Sequence, residues 1–432
     1  MSREGRALLA SFRAGERPSF DRCVPALRGL FPALGELADT PQDPEWHAEG
    51  DVHVHCSMVL DALYAGLETP TVALDAVDRD VLFLGAVLHD VAKPATTTTA
   101  ELRGVVRTVA PKHEERGRGM VAQGLLELGL PYRAVRDVMA LVGYHQAPKL
   151  LVVKDRPDSA WRNLARKAPL HLLYALEQAD MRGRVCPDLP DQLAVLDLFR
   201  EQSERLGLWG RRAYDDWHAE LAPSLPPDPE LVDYVLGRAV TDHEAGDVAV
   251  PSEALARSYG AWSGPGAGFG QLWVLVGPSG SGKSTWAERN LPGAVWISLD
   301  ALRDELTGDR SDQSANGEVR QEATRRLKQA LAARRTVVWD ATNLRADFRR
   351  PLVQLARAYG ASTTLVVVHR TTAAIRAGNR GRAHPVDARV LADQLDRYQW
   401  PEEDEADRVL VVGEGTGELY RAGFWAPPPS AG

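Results

Sequence analysis

A chain of 432 residues that is 44% apolar, 25% charged and 7% aromatic has the make-up of a globular protein of two or three domains. This excludes wholesale disorder, collagen-like repeats and a fibrous coiled coil. The net charge of −8 is concentrated: residues 1–184 carry −1, residues 185–259 carry −9 and residues 260–432 carry +2, so either flanking block has room for a local basic groove. Three scattered cysteines (Cys23, Cys56, Cys186) exclude a disulfide framework and suit a reducing compartment. No apolar run nears the roughly 18 residues of a membrane span, and the first twenty residues lack the apolar core of a signal peptide. The expected location is the cytoplasm, with no membrane partner.

Seven of the 11 histidines fall in the first 180 residues. That block reads as helical, because MVLDALYAGL and DVLFLGAVLHDVA carry helix-spaced apolar residues and Pro94 stops the second run. GMVAQGLLELGL, YRAVRDVMALVGYH and LARKAPLHLLYALEQADM continue the pattern, predicting an all-α domain over residues 1–190. Acidic helical stretches over 191–262, broken by PSLPPDPE, are expected as a connector, and the glycine-rich run at 260–270 as a linker. From residue 263 the character changes. LWVLVG, AVWISL, TVVWDA, STTLVVVH and RVLVVG alternate with helical stretches up to a proline-rich tail, APPPSAG. This predicts an α/β domain over 263–432 built on a parallel sheet.

Gly277-Pro-Ser279-Gly280-Ser281-Gly282-Lys283-Ser284-Thr285 fits the pattern GxxxxGK[ST] directly after the strand LWVLV and before a helical run. Glycines let backbone amides curl around phosphate oxygens, the helix N-terminus adds its positive end, Lys283 reaches the β/γ-phosphates and Ser284 can ligate Mg²⁺. ATP or another NTP with Mg²⁺ is the expected ligand. Asp300 is expected at the end of the next strand, WISLD, at the ligand edge of the sheet, with Arg303 following at i+3. A carboxylate beside a guanidinium suits accepting a hydroxyl proton while gripping a neighbouring phosphate. Asp340 ends the strand TVVWD and is expected either to hold Mg²⁺ or to orient Arg303 on the acceptor side. Arg376 and Arg380, four apart, and then Arg382 are expected to present guanidinium groups to a polyphosphate.

In the helical block, His55, the adjacent His89-Asp90, His113, His145 and Asp180 mix imidazole with carboxylate, a donor set suited to Mn, Fe, Co, Ni or Zn more than to Mg. A His-Asp pair late in an apolar helix is costly to bury unless it binds something. Lys93 follows His89 at i+4 and is one of only 7 lysines beside 44 arginines. His53 competes with His55, which is preferred because the apolar helix begins just after it.

GPSGSGKST, SLDALR, VVWDATN and RAGNRGRAHPV resemble the kinase domain of phage-type 5′-OH polynucleotide kinases. The resemblance implies Lys283 and Ser284 on the triphosphate and metal, Asp300 as general base, Arg303 on the acceptor and Arg376 and Arg380 in a lid, with Arg382 fitting the pattern loosely. GDVHVHCSMVLDAL, LHDVAKP, HEERGRG, VGYHQ and QADMRGR are similar to the sequence elements of the HD-domain phosphohydrolases. That likeness implies one metal on His55, His89, Asp90 and Asp180, a second completed by His113 and His145 with Asp90 bridging, and Lys93 neutralising developing charge. Together the halves resemble bacterial HD-Pnk end-healing enzymes. The implied substrates are RNA or DNA ends bearing a 5′-OH and a 2′,3′-cyclic or 3′-phosphate, passed on to a ligase. The competing readings are a small-metabolite kinase fused to a nucleotide phosphohydrolase, and a non-enzymatic NTP-gated switch.

Overall fold

The computed structural model describes residues 2–211, 213–262, 268–309 and 314–425. The expected linker at 260–270 lies partly, and the proline-rich tail wholly, outside the described residues. The chain forms two compact units, Met1–Ala213 and Tyr214–Gly432.

The first unit is helical because its apolar residues recur at helical spacing and have one another to bury against. Val52–Glu68 is capped by Asp51, whose carboxylate accepts from the Val54 amide, and Ala76–Leu88 opens with an Asp75/Asp78 capping box. These two helices pack with Tyr132–Tyr144 and Leu170–Arg182 around a core that includes Val59, Leu63, Leu84, Leu141 and Leu176. The stretch from Leu164 to Met181 is not one helix: it breaks at Ala168-Pro169, since a proline cannot donate into the ladder and pushes its predecessor to extended backbone.

A two-stranded antiparallel hairpin, β1 (Thr98–Leu102) and β2 (Val105–Val109), departs from the all-α expectation. Its turn, Arg103-Gly104, has positive φ at both residues (54° and 80°), as the tightest hairpin connections require.

The second unit is built on a six-stranded sheet in the order β4-β5-β3-β6-β7-β8. The strands β3 (Gln271–Val276), β4 (Val295–Ser298), β5 (Thr336–Asp340), β6 (Ser362–Val368) and β7 (Arg408–Val412) run parallel. The edge strand β8 (Glu418–Ala422) is antiparallel to β7 and was not foreseen. β3 sits between β5 and β6, so the order reverses there and opens a crevice at the carboxyl ends of the strands.

The acidic stretch over 191–262 is not a separate connector. Leu189–Arg205 belongs to the first unit, where Leu196 and Phe199 are fully buried and Phe199 stacks on Trp161 with centroids 5.2 Å apart. Pro229–Glu244 belongs to the second: Tyr234 and Arg238 donate to the carbonyls of Gly360 and Ala361, and Asp233 accepts from the Trp425 amide. The acidic composition of this stretch had masked its apolar faces. Ending the first unit at residue 190 would therefore strip Leu196 and Phe199 from their core, at about 1.5–3 kcal/mol for each side chain. A fragment spanning 1–213 is expected to melt cooperatively and well above a fragment spanning 1–190, as read by thermal unfolding.

Candidate functional site

In the first unit, the ends of separate helices bring six ionisable side chains together. His55 comes from the first turn of Val52–Glu68, His89 and Asp90 from the end of Ala76–Leu88, and His113 from the start of His113–Leu125. His145 caps Tyr132–Tyr144, and Asp180 lies in the last turn of Leu170–Arg182. All six are buried. Asp90 Oδ2 lies 3.3 Å from His89 Nε2 and 3.6 Å from His55 Nε2, while Oδ1 lies 3.2 Å from His113 Nε2 and 3.9 Å from His145 Nε2. The carboxylate thus turns one oxygen to each pair of imidazoles. Asp180 Oδ1 closes the first side, 3.1 Å from His55 Nε2.

Three of the imidazoles are oriented by the same device. His89, His113 and His145 each place Nδ1 on the carbonyl three residues earlier, at Ala86, Ala110 and Val142, over 2.8–3.0 Å. Nδ1–H donates there, so each Nε2 turns its lone pair inward. Nε2 atoms then face each other at 3.4 Å (His55–His89) and 3.3 Å (His113–His145), with carboxylate oxygens between them. Such a convergence of inward-turned imidazole nitrogens and carboxylates fits divalent metal ions, and its two donor groups, His55–His89–Asp180 and Asp90–His113–His145, are each compact enough to hold one.

Against the pull of burial, Asp180 and Glu49 raise the His55 imidazole and Asp90 raises His113, so without an ion these two rings pair with the carboxylates. Burial alone would raise the Asp90 carboxyl, but Lys93 and then His89 hold it well below the usual range. Burial is likewise overcome at Asp180, chiefly by Arg184. Burial, then His113 and His89, push the His145 imidazole well down, so it stands neutral as a ligand must. Lys93 Nζ reaches Asp90 at 2.7 Å and Gln42 Oε1 at 2.7 Å, which fixes the ammonium at the cluster. His53 turns away and pairs with Asp21 at 2.8 Å, so the preference for His55 is the one the geometry follows.

Sequence reasoning missed two groups here. Glu49 lies 3.0 Å from His55 Nδ1, accepts from the Val185 amide and meets His47 at 2.8 Å, so it sets the one ring that has no backbone carbonyl to hold it. Arg184 clamps Asp180 through two bonds of 2.6 and 3.1 Å. Both lie in loops flanking the helices, where no periodicity marks them. Cys56 also borders the cluster, but burial raises its thiol far above the usual range, which disfavours the thiolate a metal would need. A cavity of about 570 Å³ adjoins the cluster and is lined by His47, Lys93, His113, Lys149 and Arg184, among others.

In the second unit, the loop after β3 carries positive φ at Gly277, Gly280 and Gly282. Lys283 begins the helix Lys283–Asn290, and Ser284 Oγ donates to Asp340 at 3.0 Å. β5 lies beside β3, so Asp340 arrives next to the loop's serine, where a hydroxyl and a carboxylate together suit Mg²⁺. Asp340 bonds Ser284 and not Arg303, which groups it with the serine of the phosphate loop instead of with Arg303. Burial raises the Asp340 carboxyl despite Lys283 and Ser284, and burial lowers the Lys283 ammonium despite Asp340, as expected for a site shaped to receive further charge.

Asp300 does not end a strand. β4 stops at Ser298, whose hydroxyl caps the helix Leu299–Thr307, and Asp300 lies in that helix's first turn. Arg303 is buried and donates to Asp300 Oδ1 at 2.9 Å and Asn316 Oδ1 at 3.0 Å, while the Asp300 side chain stays 54% exposed. The helix Thr372–Arg380 touches the phosphate loop by backbone: a Cβ on Gly280 would lie 2.3 Å from the Asn379 amide, and one on Gly378 would lie 2.2 Å from the Gly280 carbonyl. Of the three arginines expected to face a polyphosphate, Arg376 and Arg380 are exposed, whereas half-buried Arg382 is the one whose charge acts on Lys283 and Asp340. Arg370, just past β6, reaches the Ser281 carbonyl at 3.4 Å and was not anticipated. Gln394 Oε1 accepts from the Ser279 amide at 2.8 Å.

A helical HD domain is thus followed by a P-loop kinase-like domain. The HD domain family matches residues 54–180, and the AAA domain family matches residues 272–401. The multifunctional CCA protein of Acinetobacter baumannii is 27% identical over 167 residues, 37% of this chain and 36% of that protein. Its counterpart in Halorhodospira halophila is 36% identical over 117 residues, 27% of this chain and 24% of that protein. The chain therefore spans only about a quarter to a third of the length of these curated relatives. Among solved structures, Chaetomium thermophilum Kti12 in complex with ADP-AlF3 is similar at a TM-score of 0.28 and 19% identity, over 33% of this chain and 89% of that one. A gluconokinase from Sinorhizobium meliloti 1021 gives 0.26 and 22%, over 34% and 85%. No helix among the described residues is long and apolar enough to cross a membrane.

Because Glu49 is the carboxylate that faces His55 Nδ1 at 3.0 Å, Glu49→Gln is expected to weaken metal binding roughly 10- to 100-fold without unfolding the domain. Equilibrium dialysis with metal analysis, beside a thermal melt, checks this.

Proposed function

We propose that this chain heals broken nucleic-acid ends, combining a 5′-OH polynucleotide kinase with a metal-dependent 2′,3′-cyclic phosphodiesterase and 2′(3′)-phosphatase. The observation that carries the reading is the Asp300–Arg303 pair. A buried guanidinium, held by Asn316, fixes a carboxylate that is itself half exposed. An acceptor site on an exposed carboxylate leaves room for a strand to continue away from the reacting hydroxyl.

In the kinase half, the loop amides and Lys283 hold the donor phosphates, and Ser284 with Asp340 holds Mg²⁺. Arg382 answers the developing charge and Asp300 takes the proton of the 5′-OH. Arg303 keeps the Asp300 carboxylate turned toward that hydroxyl. In the phosphoesterase half, His55, His89, Asp90, His113, His145 and Asp180 would hold metal. A bound ion supplies an activated water and polarises the phosphoryl oxygen. Lys93 stands beside Asp90 to neutralise charge on the phosphoryl group, and Arg184 holds the Asp180 carboxylate in its ligating direction. The products, a 5′-phosphate and a free 3′-hydroxyl, are the ends that a ligase joins.

Asp300→Ala is expected to cut phosphate transfer to a 5′-OH oligonucleotide by at least about 10²-fold. Its ATP affinity should stay within about twofold of wild type, since Asp300 serves the acceptor. Equal or better transfer to a free nucleoside or sugar by the wild type would replace the polynucleotide reading with a metabolite kinase.

The phosphoesterase is expected to be nearly silent with Mg²⁺ alone and to respond to Mn²⁺, Co²⁺, Ni²⁺, Zn²⁺ or Fe²⁺, because imidazole donors disfavour Mg²⁺. Chelation followed by titration of each ion, with release of phosphate from a 2′,3′-cyclic or 3′-phosphate end as readout, checks this.

A further inference from the structure

Between the first-unit helices, the loop over residues 41–51 carries more of the cleft than the notable histidines suggest. Gln42 holds Lys93, and Glu49 sets His55. Between them, Trp46 lines the cavity with 43% of its surface exposed. A single exposed aromatic is ordinary on a protein surface, so exposure alone says little. The mounting of this one says more.

Asp43 is buried and accepts from the Glu45 amide (3.1 Å), from Arg107 (3.1 Å) and from the Thr108 amide (3.3 Å), tying the loop to β2. Its own carbonyl accepts from the Trp46 and His47 amides at 3.2 and 2.8 Å, closing a tight turn around the indole. The Arg107 guanidinium, paired with Asp43 and Glu45, sits over the Trp46 ring at 5.2 Å from its centroid. Ordering a long arginine over an indole while leaving much of the indole in solvent suits a surface meant to be covered by something flat.

The position is equally specific. The His47 ring lies 4.9 Å from that of His55, and Trp46 and His47 line the same cavity as His113 and Lys93 at the edge of the cluster. The same cavity is lined by Lys93, Lys112 and Lys149, three of the seven lysines in an arginine-dominated chain, and by Arg184. A planar aromatic beside a phosphate-directed centre and cationic side chains is the pairing used to hold a nucleotide by base and backbone together.

We propose that Trp46 is a stacking platform for the terminal nucleobase of the phosphate-bearing strand, placing the 3′-end phosphate at the metal cluster. This rests on the phosphoesterase activity proposed above and goes beyond it by naming a residue that reads the substrate's base without hydrogen bonds, hence without strong sequence preference.

The test uses the full chain and paired oligonucleotides ending in a 2′,3′-cyclic phosphate, one with a terminal base and one abasic at that nucleotide. Trp46→Ala is expected to raise KM about tenfold for the base-bearing end while kcat stays near wild type, and to move KM for the abasic end less than about twofold. Trp46→Phe, which keeps a ring, should restore most of the difference. Equal losses on both ends, or none on either with the protein folded, would overturn the platform while leaving the phosphoesterase reading standing. Wild-type activity on neither end would overturn the phosphoesterase reading, and the platform with it.

Discussion

Enclosing the Asp90 carboxylate among four imidazoles is the constraint on which the first unit is arranged. A buried charge without compensation costs several kcal/mol, so each neighbour must be both close and correctly turned. Helix ends are the natural suppliers. A residue at the last or first turn can reach inward while its ring is pinned by a carbonyl of its own segment, as at His89, His113 and His145. Leucine, valine and alanine side chains behind the cluster then fix those helix ends to one another. The apolar core and the polar centre are in this sense one design, because the first holds the second in place.

The second unit solves a different problem with the same economy of local geometry. Its sheet order alone brings the end of β5 beside the loop after β3, so the serine and aspartate meet without any long side chain. The Asp300–Arg303 pair relies on a buried arginine braced by an asparagine, which turns a flexible carboxylate into a directed one. Folded together on one chain, the two units combine a centre suited to removing phosphate with one suited to transferring it.

Much of this was legible in the sequence, for reasons that differ between the halves. The phosphate loop is contiguous, so nine adjacent residues announced it. The histidine–aspartate cluster is dispersed, yet each member sits at a helix end, where apolar periodicity fixes the phase of the side chain. What the sequence concealed lacked both signals. Glu49 and Arg184 lie in irregular segments, and only the fold shows what they face. Asp300 was expected at a strand end because WISLD reads as uninterrupted β pattern, but the Ser298 hydroxyl caps a helix two residues earlier. The hairpin β1–β2 was passed over because its strands are short and largely exposed, which leaves no alternation of buried and open faces to read. Arg382 emerged ahead of Arg376 and Arg380 because burial, and not helical spacing, decides which guanidinium feels the loop.

The contact between Gly280 and Gly378 has an evolutionary corollary. Two backbones pressed together with no room for a methyl group on either side leave a single change at either position no partner adjustment short of moving the whole helix. Among homologues that keep this helix against the phosphate loop, both positions should therefore remain glycine. Lineages that lost one would be those in which this helix stands farther from the phosphate loop.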